Sequence, residues 1–152
     1  IGCGWGGLIR RALDRHADAS CVGLNLSQAQ AEAIQAKADP RVEAVSYAGL
    51  PSSPYHDRVQ RLYPKGAGAL FTIRLKGGYD ACVRMIGALK LISHVANLGD
   101  TRTLAIHSAS TTHRQLTAEQ QVAAGAGPDM VRLSIGIEDA ADIIADLDAA
   151  LG

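Results

Sequence analysis

The segment Met130-Val-Arg-Leu-Ser-Ile-Gly-Ile-Glu-Asp139 constrains the fold more than any other stretch of the chain. Read as a strand, it projects Met130, Arg132, Ser134 and Gly136 from one face and Val131, Leu133, Ile135 and Ile137 from the other. One face is wholly apolar and has to be covered. The cover is the next segment: Asp139 to Leu151 reads as a helix that puts Ile143, Ile144, Leu147, Ala150 and Leu151 on one side. Asp139 and Asp142 in its first turn suit the helix dipole. The opposite strand face carries the guanidinium of Arg132, which the covering helix does not need.

A second stretch belongs with this strand. Ser93 to His113 is dense in hydroxyls, imidazoles and one amide, yet Leu98, Leu104 and Ile106 tie it to a core. An apolar segment with convergent polar groups predicts the wall of a site. Within it, Asn97 before Leu-Gly reads equally as a turn residue. His94, His107 and His113 lack metal-ligand spacing, so a structural role in loops is expected and no metal site.

Fifteen basic and fifteen acidic residues cancel, so there is no electrostatic footprint for nucleic acid or an anionic membrane. No apolar run is long enough to span a bilayer. Cys3, Cys21 and Cys82 are odd in number and far apart, which predicts reduced thiols and a cytoplasmic protein. The chain starts at Ile1 without an initiator Met, already inside a Gly-rich turn, and the expectation is a fragment.

From Pro40 onward, strands and helices alternate. Strands are expected at Val42–Tyr47, Ala69–Leu75, Thr101–His107 and Met130–Ile135. Ser53 is a good N-cap with Pro54 in the first helical position, opening a short helix that holds Val59 and Leu62. A helix from about Tyr79 to Ile92 should turn Cys82, Val83, Ile86 and Leu89 inward. Thr117-Ala-Glu-Gln120 is a capping box, and Gly125-Ala-Gly-Pro128 ends the helix it starts. The fold class is α/β with an α+β-like character: a small sheet with helices mainly on one face. Parallel and antiparallel pairing both fit the pattern.

Residues 1–38 form a different unit. Ile1-Gly-Cys-Gly-Trp-Gly-Gly7 leads into an apolar helical stripe, then the short strand Ser20–Leu26, then a capping box at Ser27–Gln30 and a helix to about Ala38. Glycines let backbone approach a ligand, and helix N–H groups point at it. Together with Val22-Gly-Leu-Asn-Leu-Ser-Gln28, the string resembles motif I and the second strand of S-adenosylmethionine (SAM)-dependent methyltransferases of the cyclopropane-fatty-acid-synthase-like group. The resemblance implies SAM contacts at Gly2, Gly4 and Gly6, with Asn25, Ser27 and Gln28 near the ribose.

Residues 39–152 carry a more specific resemblance. Val45-Ser-Tyr-Ala-Gly-Leu-Pro-Ser-Ser-Pro54, Lys65-Gly-Ala-Gly-Ala69, Leu75-Lys-Gly-Gly78, Ser93-His-Val-Ala-Asn-Leu-Gly-Asp100, Ala109-Ser-Thr-Thr-His113 and Val131–Asp139 occur in order. Together they resemble the C-terminal domain of O-acetylhomoserine sulfhydrylases, in the Cys/Met-metabolism family dependent on pyridoxal phosphate (PLP). The resemblance implies sulfur transfer to O-acetylhomoserine, or O-acetylserine, with PLP as electron sink. It implies an amino-acid substrate whose carboxylate is clamped by Arg132, with Asn97 as a second polar contact, and a parent that is a homo-oligomer. His107-Ser-Ala-Ser departs from the family's His-Pro-Ala-Ser at Ser108. The family's PLP lysine lies in a large domain, and Lys37, Lys65, Lys76 and Lys90 have none of its sequence context. No catalytic residue is therefore assigned here, and the expected organisation is a partial methyltransferase-like segment (1–38) followed by a PLP-enzyme C-terminal domain (39–152). The competing readings are a SAM-dependent methyltransferase piece and a non-catalytic α/β binding module. Taken without the resemblance, Arg132 is an exposed arginine on a half-solvated strand, and Glu138 and Asp139 are a helix start.

Overall fold

The structure, a computed structural model, describes residues 39–64 and 66–152. The readings made on residues 1–38, including Gly2, Gly4, Gly6 and the Ser27 capping box, lie outside the described residues.

Five strands form one sheet in the order β1-β2-β5-β4-β3: β1 (Val42–Ser46), β2 (Leu70–Leu75), β3 (Ser93–His94), β4 (Leu104–Ile106) and β5 (Met130–Ser134). The pairing question resolves as mixed. β1–β2, β2–β5 and β4–β5 are antiparallel and only β3–β4 is parallel. The alternating segment is thus the central strand. Thr72 of β2 and Ile106 of β4 flank Arg132 in register, and Leu70 and Leu104 flank Ser134.

Among the described residues, four α-helices accompany the sheet: α1 (His56–Leu62), α2 (Gly78–Ala88), α3 (Ala118–Ala123) and α4 (Ala140–Leu151). Cys82 and Met85 of α2 and Ile143, Leu147 and Ala150 of α4 join Phe71, Ile73, Leu75, Val131, Leu133 and Ile135 of the sheet in one core. Each fully buried Val, Leu or Ile there contributes roughly 1.5–3 kcal/mol. Tyr47 closes one end, with its ring edge-on to Phe71 at 6.2 Å and its hydroxyl donating to the Gly68 carbonyl at 3.0 Å. Asp139, read as a first-turn residue, is the N-cap of α4, its Oδ1 accepting from Ala141 N at 2.8 Å. The Thr117 capping box forms with both of its bonds.

Four details differ from the sequence reading. α1 begins at His56, after Tyr55. Ser53 Oγ accepts from Tyr55 N at 3.3 Å, so it shapes the turn ahead of the helix, and α1 buries no residue fully. Val83 is 43% exposed while Met85 is buried. The inward stripe of α2 runs through Cys82 and Met85, and Val83 sits about 100° round from Cys82. α2 stops at Ala88 because the Asp146 carboxylate takes the N–H groups of Lys90, Leu91 and Ile92, at 3.0, 3.0 and 2.9 Å, which pulls the chain out of the helix and into β3. Ile137, on the apolar face by alternation, is 67% exposed because β5 has ended at Ser134.

Candidate functional site

β5 positions Arg132. Its neighbours Val131 and Leu133 are locked into the core, so the alternating geometry drives the guanidinium to the other face. Arg132 is half-buried there, and its Nη2 donates to the Asn97 carbonyl at 3.1 Å. A guanidinium has five N–H donors. No carboxylate pairs with Arg132 among the described residues, in contrast to Arg41, held by Asp39 and Asp148, and Arg74, held by Asp129 and Glu43. The face therefore presents a cation with donors to spare.

The Asn97 loop is held from both sides. Gly99 adopts a left-handed φ of 73°, which a side chain would disfavour, and its N–H donates to Ser134 Oγ at 3.0 Å. Asn97 Oδ1 accepts from Leu98 N at 2.9 Å, the local bond of a turn residue. It is the Asn97 backbone carbonyl, not the amide oxygen, that meets Arg132. The two residues singled out in the sequence are brought together, with Ser134, which the alternation put on the face of Arg132, as a third.

The hydroxyl- and imidazole-rich stretch beyond β4 is mostly bonded within itself. Thr111 Oγ1 donates to the His107 carbonyl at 2.8 Å, and Gln121 Nε2 donates to the carbonyls of Ala109 and His113 at 3.2 and 3.0 Å. Gln121 went unremarked in the sequence; its only signal was its place one residue after the Thr117 capping box. His107 is fully buried, edge-on to Tyr79 at 5.0 Å, with Nε2 2.9 Å from the Pro128 carbonyl and Nδ1 2.9 Å from Ser110 Oγ. Burial pushes its pKa below the ordinary histidine value, against the pull of the Pro128 bond. His94 is exposed and His113 shares a 2.9 Å contact with Thr112 Oγ1. No metal-holding cluster occurs among the described residues.

PLP itself finds no fit among the described residues. A cofactor lysine needs a desolvated position. Lys90 and Lys76 are exposed, and Lys76 borders a cleft of about 500 Å³ between α2 and the end of α4 that contains neither Arg132 nor Asn97. What the arrangement can do is hold an anion on a guanidinium beside a braced turn.

The chain is similar to known proteins over most of its length. The family model described as Cys/Met metabolism PLP-dependent enzyme matches residues 22–152. O-acetyl-L-homoserine sulfhydrylase 1 of Thermus thermophilus is 57% identical over 112 residues, 74% of this chain and 27% of that protein. A Campylobacter jejuni crystal structure, assigned as an O-acetylhomoserine (thiol)-lyase and holding N'-pyridoxyl-lysine-5'-monophosphate, superposes with a TM-score of 0.74 at 34% identity, covering 86% of this chain and 31% of that one. Yeast cystathionine gamma-lyase superposes with a TM-score of 0.75 at 32% identity, over 83% and 32%. The chain thus spans between a quarter and a third of the length of these relatives.

Proposed function

This chain belongs to the Cys/Met metabolism family of PLP-dependent enzymes, and we propose that it supplies the substrate-carboxylate side of an O-acetylhomoserine sulfhydrylase. The observation that carries the reading is Arg132: half-buried, unpaired by any acid among the described residues, and aimed at the Asn97 turn. In this reading the guanidinium forks onto the α-carboxylate of O-acetylhomoserine, and Asn97 supplies a second polar contact. Ser134 holds the turn in place through Gly99. The fork fixes the amino acid in orientation as well as charge, which is what an arginine offers over a lysine. PLP is the family's cofactor. The described residues hold no site for it, so their part is binding and orientation, and the lysine that carries PLP belongs elsewhere in the enzyme. The whole enzyme would act in the cytoplasm as a homo-oligomer, forming homocysteine from sulfide. O-acetylserine is the substrate to set beside O-acetylhomoserine.

The test is a chimera in which residues 39–152 replace the matching region of the Thermus thermophilus sulfhydrylase. It should form homocysteine from O-acetylhomoserine and sulfide. Arg132→Lys should raise KM about tenfold and Arg132→Ala lower kcat/KM about 100-fold, from the loss of charge-assisted hydrogen bonds. An Arg132→Ala chimera with unchanged kcat/KM would overturn the assignment.

A further inference from the structure

The contact between the Arg132 strand and the Asn97 loop continues beyond the end of β5. Arg132 Nη2 reaches the Asn97 carbonyl, Ser134 Oγ accepts from Gly99 N, and Ile137 N donates to the Thr101 carbonyl at 2.9 Å. Gly136 N donates to Thr103 Oγ1 at 2.9 Å. Glu138 ends the series: Oε1 accepts from Thr103 N at 2.7 Å and Oε2 from Thr103 Oγ1 at 2.8 Å. Four successive alternate positions of the loop, 97, 99, 101 and 103, are each bonded to the segment 132–138.

This seam has no slack at its outer end. Thr103 is fully buried, and its one hydroxyl both donates to Glu138 and accepts from Gly136. A Cβ on Gly136 would clash with the Thr101 carbonyl oxygen, so the two backbones lie close together there. Glu138 is the charged member of the seam and grips both donors of one residue, and bonds to an ionised acceptor are the strong ones.

We propose that Glu138 is a positioning residue for the carboxylate site. By clamping Thr103 it sets where the Asn97–Gly99 turn stands relative to Arg132. It touches no substrate, and its importance for turnover rests on the reading of Arg132 given above. Glutamine at 138 keeps the size but replaces one acceptor oxygen with a donor, so one of the two Thr103 donors loses its partner.

The experiment is amide hydrogen exchange on the full chain, read at Gly99 relative to Leu133 in the core strand. Glu138→Gln and Thr103→Val should each speed Gly99 relative to Leu133 about tenfold, the loss of a strong hydrogen bond. Thr103→Ser, which keeps the hydroxyl, should restore the wild-type ratio. Glu43→Gln, at the far edge of the sheet, should leave it unchanged. A Gly99-to-Leu133 ratio that does not move in Glu138→Gln and Thr103→Val overturns the proposal, as does Leu133 speeding in parallel. In the chimera, Glu138→Gln should raise KM for O-acetylhomoserine about tenfold with little change in kcat. A fall in kcat at constant KM also overturns it. A wild-type chimera that makes no homocysteine refutes the functional reading instead, and the exchange ratio still decides the clamp.

Discussion

Removing the Asp146 carboxylate should cost far more than its place on a partly exposed helix face suggests. The side chain collects three consecutive backbone N–H groups, those of Lys90, Leu91 and Ile92. Lys90 and Leu91 are exposed and can turn to water, so each loses only a net bond of about 0.5 kcal/mol. Ile92 is 3% exposed, and its N–H is left part-buried without a partner, at a cost of about 1–2 kcal/mol. Asp146→Ala should therefore destabilise by about 2–3 kcal/mol. At about 4 °C per kcal/mol, Tm falls by about 8–12 °C. Asp146→Asn keeps one acceptor oxygen and should lose about half as much. Thermal and urea unfolding of the full chain measure both. If Asp146→Ala stays within about 0.5 kcal/mol of wild type, the carboxylate does not hold the 90–92 segment and the account of where α2 stops is wrong.

Three further expectations follow from the described contacts. His107 is held neutral by burial, so the unfolded chain binds the extra proton first. Stability should fall as pH drops below about 6.5, the unfolded histidine value, and His107→Gln should flatten that part of the pH–stability curve. PLP added to the isolated chain and reduced with borohydride should label lysines without preference, because Lys76 and Lys90 are exposed; stoichiometric modification of one lysine would contradict this. SAM should show no micromolar binding by calorimetric titration, since the family match reaches back to residue 22 and so overlaps the segment that would hold its ribose.

What the sequence made legible is what has a local period. The alternation at Met130–Ser134 identified the strand and both of its faces, and the stripe at Ile143, Leu147 and Ala150 identified the helix that covers one of them. The Thr117 capping box spans three residues and formed as read. The contacts that shape the candidate site are of another kind. Asp146 lies 54 residues from Ile92, Glu138 lies 35 from Thr103, and Ser134 lies 35 from Gly99. Each joins a side chain to backbone far along the chain, where no spacing rule applies. Arg132 was found because its alternation partners are apolar. Asn97 was legible as a turn residue, and its short amide side chain does bond its own turn, accepting from Leu98 N.

The strand order has a consequence for how the protein is made. β5 sits between β2 and β4, yet it is the last of these five strands to be synthesised. Until Met130–Ser134 emerges, β2 has only β1 beside it and β4 has only the two-residue β3, so two strands wait with open hydrogen-bonding edges. Open edges of that kind recruit strands from other chains. Among the described strands, both edges stay open between the emergence of Leu104 and that of Ser134, and a ribosome pausing in that interval would lengthen the exposure.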